Sequence, residues 1–200
     1  MNPRIGVIAL QGGVSEHLQM LLNIGCKTVS VRTPQNLHGI DGLIIPGGES
    51  TVLIKLLSRW QLISPIKELA GSGTPIWGTC AGSILLSNEI TEKNHKVNQP
   101  SLELAAVRAE RNSFGRQASS FQEELLIKGL DNPFPGVFIR APLLYPLSPD
   151  AEVLCSVNEG AVFIRCGNIW LSSFHPELTN DARIHRMFIE EAVIGSKPGH

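Results

Sequence analysis

Short apolar runs rich in isoleucine and valine alternate with longer amphipathic stretches through the first half of the chain, and this alternation restricts the fold more than any other feature. Strand-helix-strand units of this kind build a mainly parallel sheet within an α/β fold. RIGVIAL (4–10) reads as the first strand. SEHLQMLLNIG (15–25) reads as a helix with Leu18, Leu21 and Leu22 on one face and Ser15 as its N-cap, and KTVSVRT (27–33) as the second strand. GLIIPGG (42–48) is the third strand; a helix capped by Ser50 then runs to about Arg59, and another covers 65–69. TPIWGTC (74–80) is a buried fourth strand that leads directly into a helix. Further on, ELLIKGL, GVFIRAP, AEVLCSV and GAVFIRCGNIWLSSF are short β runs that predict antiparallel additions at a sheet edge, followed by a last helix over 180–194. The segment 89–122 is polar, turn-rich and without sustained periodicity, and it reads as a loop. No repeat, low-complexity tract or linker divides the chain, so residues 1–195 are expected to form one domain, with SKPGH (196–200) as a frayed tail.

Composition supports one well-packed core. A chain of 200 residues removes roughly 70% of its unfolded surface from water on folding. Its 42% hydrophobic and 18% charged residues leave little room for disorder. The 17 basic and 18 acidic side chains nearly cancel, and no segment carries the dense Lys/Arg run that neutralises phosphates, which argues against a nucleic-acid partner. No apolar stretch approaches the roughly 20 residues needed to span a bilayer. The start, MNPRIGVIALQGG, reads as a buried strand rather than a signal peptide, so a cytoplasmic protein without membrane partners is expected. Cysteines 26, 80, 155 and 166 share no CxxC spacing, and no metal site is expected. Cys26, Cys155 and Cys166 read as small buried hydrophobes.

Cys80 is different. GTCAG (78–82) has the form Gly-x-nucleophile-x-Gly at a strand-to-helix junction, the pattern of a nucleophile elbow, in which a strained turn pushes the reactive side chain clear. The positive end of the following helix favours the attacking thiolate. SFHPEL (173–178) ends another apolar strand with His175 and Glu177 two residues apart, so both can point to one side of the sheet. His175 is then the general base and acid, and Glu177 its orienting carboxylate. Ala81 N–H, immediately after the nucleophile, is one oxyanion donor. PGGES (46–50) offers a second at Gly48 N–H, with Gly47 shaping the turn. The other histidines, His17, His38, His95, His185 and His200, lack such company and read as surface or packing residues.

Taken together, GTCAG, SFHPE and the upstream PGGES resemble a class I glutamine amidotransferase. ALQG (9–12), PGGEST, ERNSFGRQ (110–117), FIRAP (138–142) and SFHPELT narrow the resemblance to the glutaminase subunits of pyridoxal 5′-phosphate synthase, over nearly the whole chain. It implies a flavodoxin-like three-layer α/β sandwich. It also implies hydrolysis of L-glutamine to glutamate and ammonia through a thioester on Cys80, with ammonia passed to a separate synthase subunit. Pyridoxal phosphate would be the product of that complex, and no cofactor of this chain is implied. By the same resemblance Gly47, Gly48, Glu49, Arg111, Ile139 and Arg140 would contact glutamine, and Gln11 would lie near the oxyanion region and the docking face. A carboxylate suits the substrate ammonium and a guanidinium its α-carboxylate; which of Arg111 and Arg140 makes direct contact stays open.

One departure from the family stands out. Members carry a glycine in a compact LGL-like turn where this chain reads LEL at 102–104, which leaves the local geometry open. Two other readings also remain: the glutaminase of another pathway, such as histidine synthesis, and a redox-sensing protein of the same fold whose elbow cysteine is oxidised rather than acylated.

Overall fold

The structure, a computed structural model, describes residues 2–114 and 120–195. The expected frayed tail at 196–200 and the Gly115–Gln117 end of ERNSFGRQ lie outside the described residues. The strands are β1 (Arg4–Ile8), β2 (Lys27–Val31), β3 (Gly42–Ile45), β4 (Ile76–Thr79), β5 (Ser87–Glu92), β6 (His95–Lys96), β7 (Ala105–Arg111), β8 (Ser120–Leu125), β9 (Phe134–Ile139), β10 (Leu143–Pro146), β11 (Ala151–Val157), β12 (Gly160–Cys166) and β13 (Ile169–Ser172). The helices are α1 (Val14–Asn23), α2 (Ser50–Arg59), α3 (Ile63–Gly71), α4 (Ala81–Leu86) and α5 (Arg183–Met187), the last continuing as a π-helical stretch over Phe188–Ile194.

One large sheet has the order β2-β1-β3-β4-β13-β12-β10-β7-β5-β6, with β11 paired to β12. Its first five strands are mutually parallel. Both faces of β1, β3, β4 and β13 are covered, and alternate residues divide between two cores. Leu43, Ile45, Ile76 and Leu171 pack on one side with Leu53, Leu57, Ile66 and Leu85 from the helices there. Ile44, Trp77 and Trp170 pack on the other with Leu21, Ile184 and Phe188. Burial on both faces is why the strands read as continuous apolar runs. Beyond β13 the pairing turns antiparallel through β12 and β10, as the second half of the sequence predicts. The antiparallel pair β8-β9 forms a separate small sheet whose Phe121 and Phe138 stack with ring centroids 4.6 Å apart. Among the described residues no helix is long and apolar enough to cross a membrane.

Several local expectations are corrected. Segment 89–122 is not a single loop, since it holds the end of β5, all of β6 and β7 and the start of β8; β7 pairs with β5 in parallel and with β10 in antiparallel. The inward positions of β7 are Ala105, Val107 and Ala109, too small to produce a strong hydrophobic signal. Ser15 is not a cap, since α1 begins at Val14 after Gly13 and carries no side-chain cap. The buried face of α1 is His17, Met20 and Leu21, while Leu22 is 52% exposed. Ser50 is likewise inside α2, whose N-cap is Glu49. Among the cysteines, Cys26 and Cys155 are buried, whereas Cys166 is partly exposed at the end of β12. ELLIKGL is strand only through Leu125, and Leu126 is exposed.

The LEL turn shows what the departure from the family means in space. Leu102 and Leu104 donate to the carbonyls of Leu85 (2.7 Å) and Leu86 (2.9 Å), and Leu102 is fully buried. Between them Glu103 has φ +54°, a left-handed conformation that costs an L residue about 1–2 kcal/mol and glycine little. Glu103→Gly is therefore expected to stabilise the protein by about 0.5–1 kcal/mol after the extra unfolded-chain entropy of glycine is subtracted, read as a higher denaturation midpoint at an unchanged m-value. A lower midpoint would contradict this account of the turn.

Candidate active site

Four parallel strands end at one place. In open α/β sheets the carboxyl ends of the strands, where the strand order reverses, form the natural crevice. Here β1 leads into Gln11 to Gly13, β3 into Pro46 to Glu49, β4 into Cys80, and β13 into His175 and Glu177. Together with the end of β9 they surround a cavity of about 560 Å³. The sequence-predicted residues Gly47, Gly48, Glu49, Cys80, Ala81, Arg111, Ile139, Arg140, His175 and Glu177 all line it.

The elbow is built by strain and close packing. Cys80 has φ +48° and ψ −106°, a conformation L residues rarely adopt. It is held there by its own N–H to Ser172 O (2.7 Å) and by Ile84 N–H to its carbonyl (3.2 Å). A methyl group on Gly82 would fall 2.0 Å from Ile45 O, so only glycine lets α4 start this close to β3. Ala81 opens α4, where the first N–H groups of a helix have no partner within it. The Cys80 thiol lies 3.6 Å from Ile139 O at the end of β9.

His175 and Glu177 sit on the short helical turn after β13. His175 is anchored through its backbone N–H to Val137 O (2.8 Å), and its Nδ1 is 2.8 Å from Glu177 Oε1. Burial disfavours charge on His175, but the hydrogen bonds and charge interactions with the Cys80 sulfur and the Glu177 carboxylate outweigh it and raise the pKa to about 10. Burial likewise opposes ionisation of Glu177, yet His17 and His175 hold its pKa below the ordinary value. Gly13 allows the N-terminus of α1 to touch Glu177, since a methyl there would lie 2.8 Å from Oε1; the missing side-chain cap of α1 is the cost of that contact.

Gly48 has φ +144° and lies under the Gln11 side chain, whose Oε1 accepts Glu49 N–H at 3.3 Å. Gln11 thus sits beside the Gly47 and Gly48 loop between β3 and α2. Glu49 does two things at once: it caps α2 by accepting Thr51 N–H (3.1 Å), Val52 N–H (2.9 Å) and the Thr51 hydroxyl, and it faces the cavity. Its carboxyl is held below the usual pKa; burial opposes this, and the hydrogen bonds and Arg111 outweigh burial. Arg111 Nη2 is 3.8 Å from Glu49 Oε1 and its Nη1 donates to Gln99 Oε1 at 3.2 Å. Arg140 follows β9 with φ +46° and an exposed side chain at the cavity.

His17 is a residue that sequence reasoning does not place in the site. It is fully buried, with Nε2 3.4 Å from Glu177 Oε2 and Nδ1 2.9 Å from the buried His185 Nε2. The available signal is its spacing: His17 falls one turn before Leu21, on the inward face of α1.

Residues 7–194 match the SNO glutamine amidotransferase family. The chain belongs to this family. It is 47% identical over 190 residues to pyridoxal 5′-phosphate synthase subunit PdxT of Bacillus velezensis, covering 94% of each chain. It is 46% identical to the protein of that name from Carboxydothermus hydrogenoformans, covering 96% of this chain and 99% of the other. A solved structure described as a glutamine amidotransferase superposes with a TM-score of 0.87 at 42% identity, over 94% of this chain and 98% of that one. A putative GMP synthase component from Thermoplasma acidophilum shares the fold, with a TM-score of 0.67 at 19% identity over 98% and 96% of the two chains. The chain thus has the mixed α/β architecture of the glutamine amidotransferases.

The coupled charges set a pH window. The raised His175 stabilises the folded state fully below its ordinary pKa of 6.5, a contribution lost as pH rises through about 10. The depressed Glu177 contributes above its ordinary 4.5 and is lost as pH falls below that value. Removing the carboxylate removes one cause of the high histidine value, so Glu177→Gln is expected to bring the His175 titration down from about 10 toward the ordinary value, as followed by histidine ¹⁵N NMR. A titration that does not move would contradict the coupling.

Proposed function

We propose that residues 1–195 act as one glutaminase domain that hydrolyses L-glutamine to L-glutamate and ammonia and delivers the ammonia to the synthase subunit of pyridoxal 5′-phosphate synthase. The observation that carries this reading is the coincidence of near-full-length kinship to PdxT subunits with Cys80, His175 and Glu177 at one end of the sheet. The proposed setting is the cytoplasm.

In this reading Cys80 Sγ, as thiolate, attacks Cδ of the glutamine side chain and His175 holds the displaced proton as imidazolium. The N–H groups of Ala81 and Gly48 receive the oxyanion. Collapse of the tetrahedral intermediate breaks the C–N bond; the proton from His175 goes to the leaving nitrogen, and ammonia departs. The remaining γ-glutamyl thioester is attacked by water, with His175 as base, releasing glutamate and the thiolate. Glu177 keeps Nδ1 protonated, so that Nε2 serves Cys80.

Glu49 is ionised and faces the cavity, which suits the substrate ammonium. Arg111 is engaged with Glu49 and Gln99, whereas Arg140 forms no ion pair among the described residues; we assign the α-carboxylate to Arg140 and the bracing of Glu49 to Arg111. Gln11, beside Gly48, is placed to pass partner docking on to the oxyanion loop.

Ammonia release from glutamine, with and without the cognate synthase, tests activity and partner together. Stimulation by the synthase is expected, with turnover abolished by Cys80→Ala; full activity in that variant would refute the assignment. Arg140→Ala is expected to raise KM by about tenfold or more, the loss of one charge-assisted hydrogen bond, with a smaller change in kcat; an unchanged KM would move the α-carboxylate elsewhere.

A further inference from the structure

Glu177 has two oxygens, and the chemistry above uses one. Oε1 meets His175 Nδ1, while Oε2 is buried with no hydrogen-bond partner of good geometry among the described residues. A buried carboxylate oxygen without a donor is costly. Facing it at 3.4 Å is His17 Nε2, which is also 3.4 Å from Thr79 Oγ1. On its other side His17 Nδ1 lies 2.9 Å from His185 Nε2.

Burial lowers the pKa of both imidazoles, so each carries a single ring proton, and one proton lies between the two rings. Two arrangements are possible. If His17 bears its proton on Nδ1, its Nε2 lone pair can accept from the Thr79 hydroxyl but still lies 3.4 Å from the Glu177 carboxylate in a dry interior. His185 must then carry its proton on Nδ1, which is buried and has no partner among the described residues. That arrangement combines lone-pair repulsion with an orphan donor. If His17 instead bears its proton on Nε2, the N–H donates to Thr79 Oγ1 and lies beside Glu177 Oε2, each 3.4 Å from Nε2, Nδ1 accepts from His185 Nε2–H, and the unpartnered His185 Nδ1 is a lone pair. The second arrangement avoids both penalties.

We propose that His17 is a positioning residue for the reaction: in the Nε2–H tautomer imposed by His185, it holds the outer oxygen of Glu177 and keeps that carboxylate ionised and aimed at His175. The proposal rests on the reading of Cys80, His175 and Glu177 as a catalytic triad. Thr79, on the same cluster, also accepts Gly47 N–H at 3.1 Å, so the support behind the acid reaches the glycine loop across the nucleophile. Trp77 packs edge-on against both histidines and is itself backed by Phe188, which keeps the contact in an apolar surround. The titratable groups facing Glu177 are His175 from its own turn and His17 from α1. Behind them lie Cys80 on the elbow, Glu16 beside His17, and His185 from α5.

The test is kinetic and spectroscopic, on the full chain with its synthase. His17→Leu is expected to lower kcat by roughly 10- to 100-fold, the loss of a hydrogen bond to a charged group, with KM little changed. The acid limb of the kcat profile should move to higher pH, because the carboxylate loses a group that favours its ionised form. His17→Gln, whose amide N–H can reach the same oxygen, should recover at least part of that loss and return the acid limb toward its original position. A merely structural role would leave the acid limb in place and show no rescue by Gln. Histidine ¹⁵N NMR of the unsubstituted protein reads the tautomer without any substitution, and stands even if His17→Leu fails to fold. An Nδ1–H tautomer for His17, or an unshifted acid limb in a folded His17→Leu, overturns the proposal. Cys80→Ala is run alongside: turnover retained there removes the triad reading itself, whereas loss there with no effect at His17 removes this inference alone.

Discussion

The His175 ring lies against the bare α-carbon of Gly47, where an added methyl would stand 2.5 Å from Cε1 and 3.3 Å from the Cys80 β-carbon. This three-way contact is the constraint around which the site is arranged. It requires β3, β4 and β13 to end side by side, which their parallel register provides: Leu43 pairs with Ile76, and Ile76 with Ile169. It also requires the chain after each strand to turn abruptly. At Cys80 the turn relies on a strained backbone, and at Gly82 and Gly47 it depends on the absence of a side chain. Such strain persists only where the surroundings over-determine it. Here they do, because the two cores on either face of the sheet fix the strands before the turns begin.

Electrostatics complete what packing starts. A buried imidazole would ordinarily resist protonation, yet His175 is drawn to a pKa of about 10 by the Cys80 sulfur on one side and the Glu177 carboxylate on the other. Glu177 in turn stays ionised despite burial, because histidines face it from two directions. The line Cys80, His175, Glu177, His17, His185 runs from the cavity wall into the core, from the reacting groups to water-excluded support. Its inner end packs against Trp77, which in turn packs on Phe188, so the charge pattern and the apolar core are parts of one structure.

Much of this is readable from the sequence, for physical reasons that differ by element. The parallel strands announce themselves because burial on both faces demands unbroken runs such as GLII and IWGT. GTCAG and SFHPE are legible because elbow geometry and a paired imidazole and carboxylate allow few residue types. β7 escapes notice because its inward side chains are mostly alanine. The expected caps at Ser15 and Ser50 fail because neighbouring residues take those positions for the site: Gly13 to admit Glu177, and Glu49 to serve helix and cavity together. His17 is hidden for another reason. A histidine on the inward face of a helix looks the same in sequence whether it fills space or touches a carboxylate contributed from the far end of the chain.

The central claim is that Cys80 forms a covalent bond to the γ-carbonyl of glutamine. Rapid acid quenching of the protein and its synthase during turnover, followed by peptide mapping by mass spectrometry, measures that bond directly. The account predicts a γ-glutamyl adduct confined to the peptide that carries Cys80 and absent from those carrying Cys26, Cys155 and Cys166. Ammonia release without any such adduct, or an adduct on another cysteine, would contradict it.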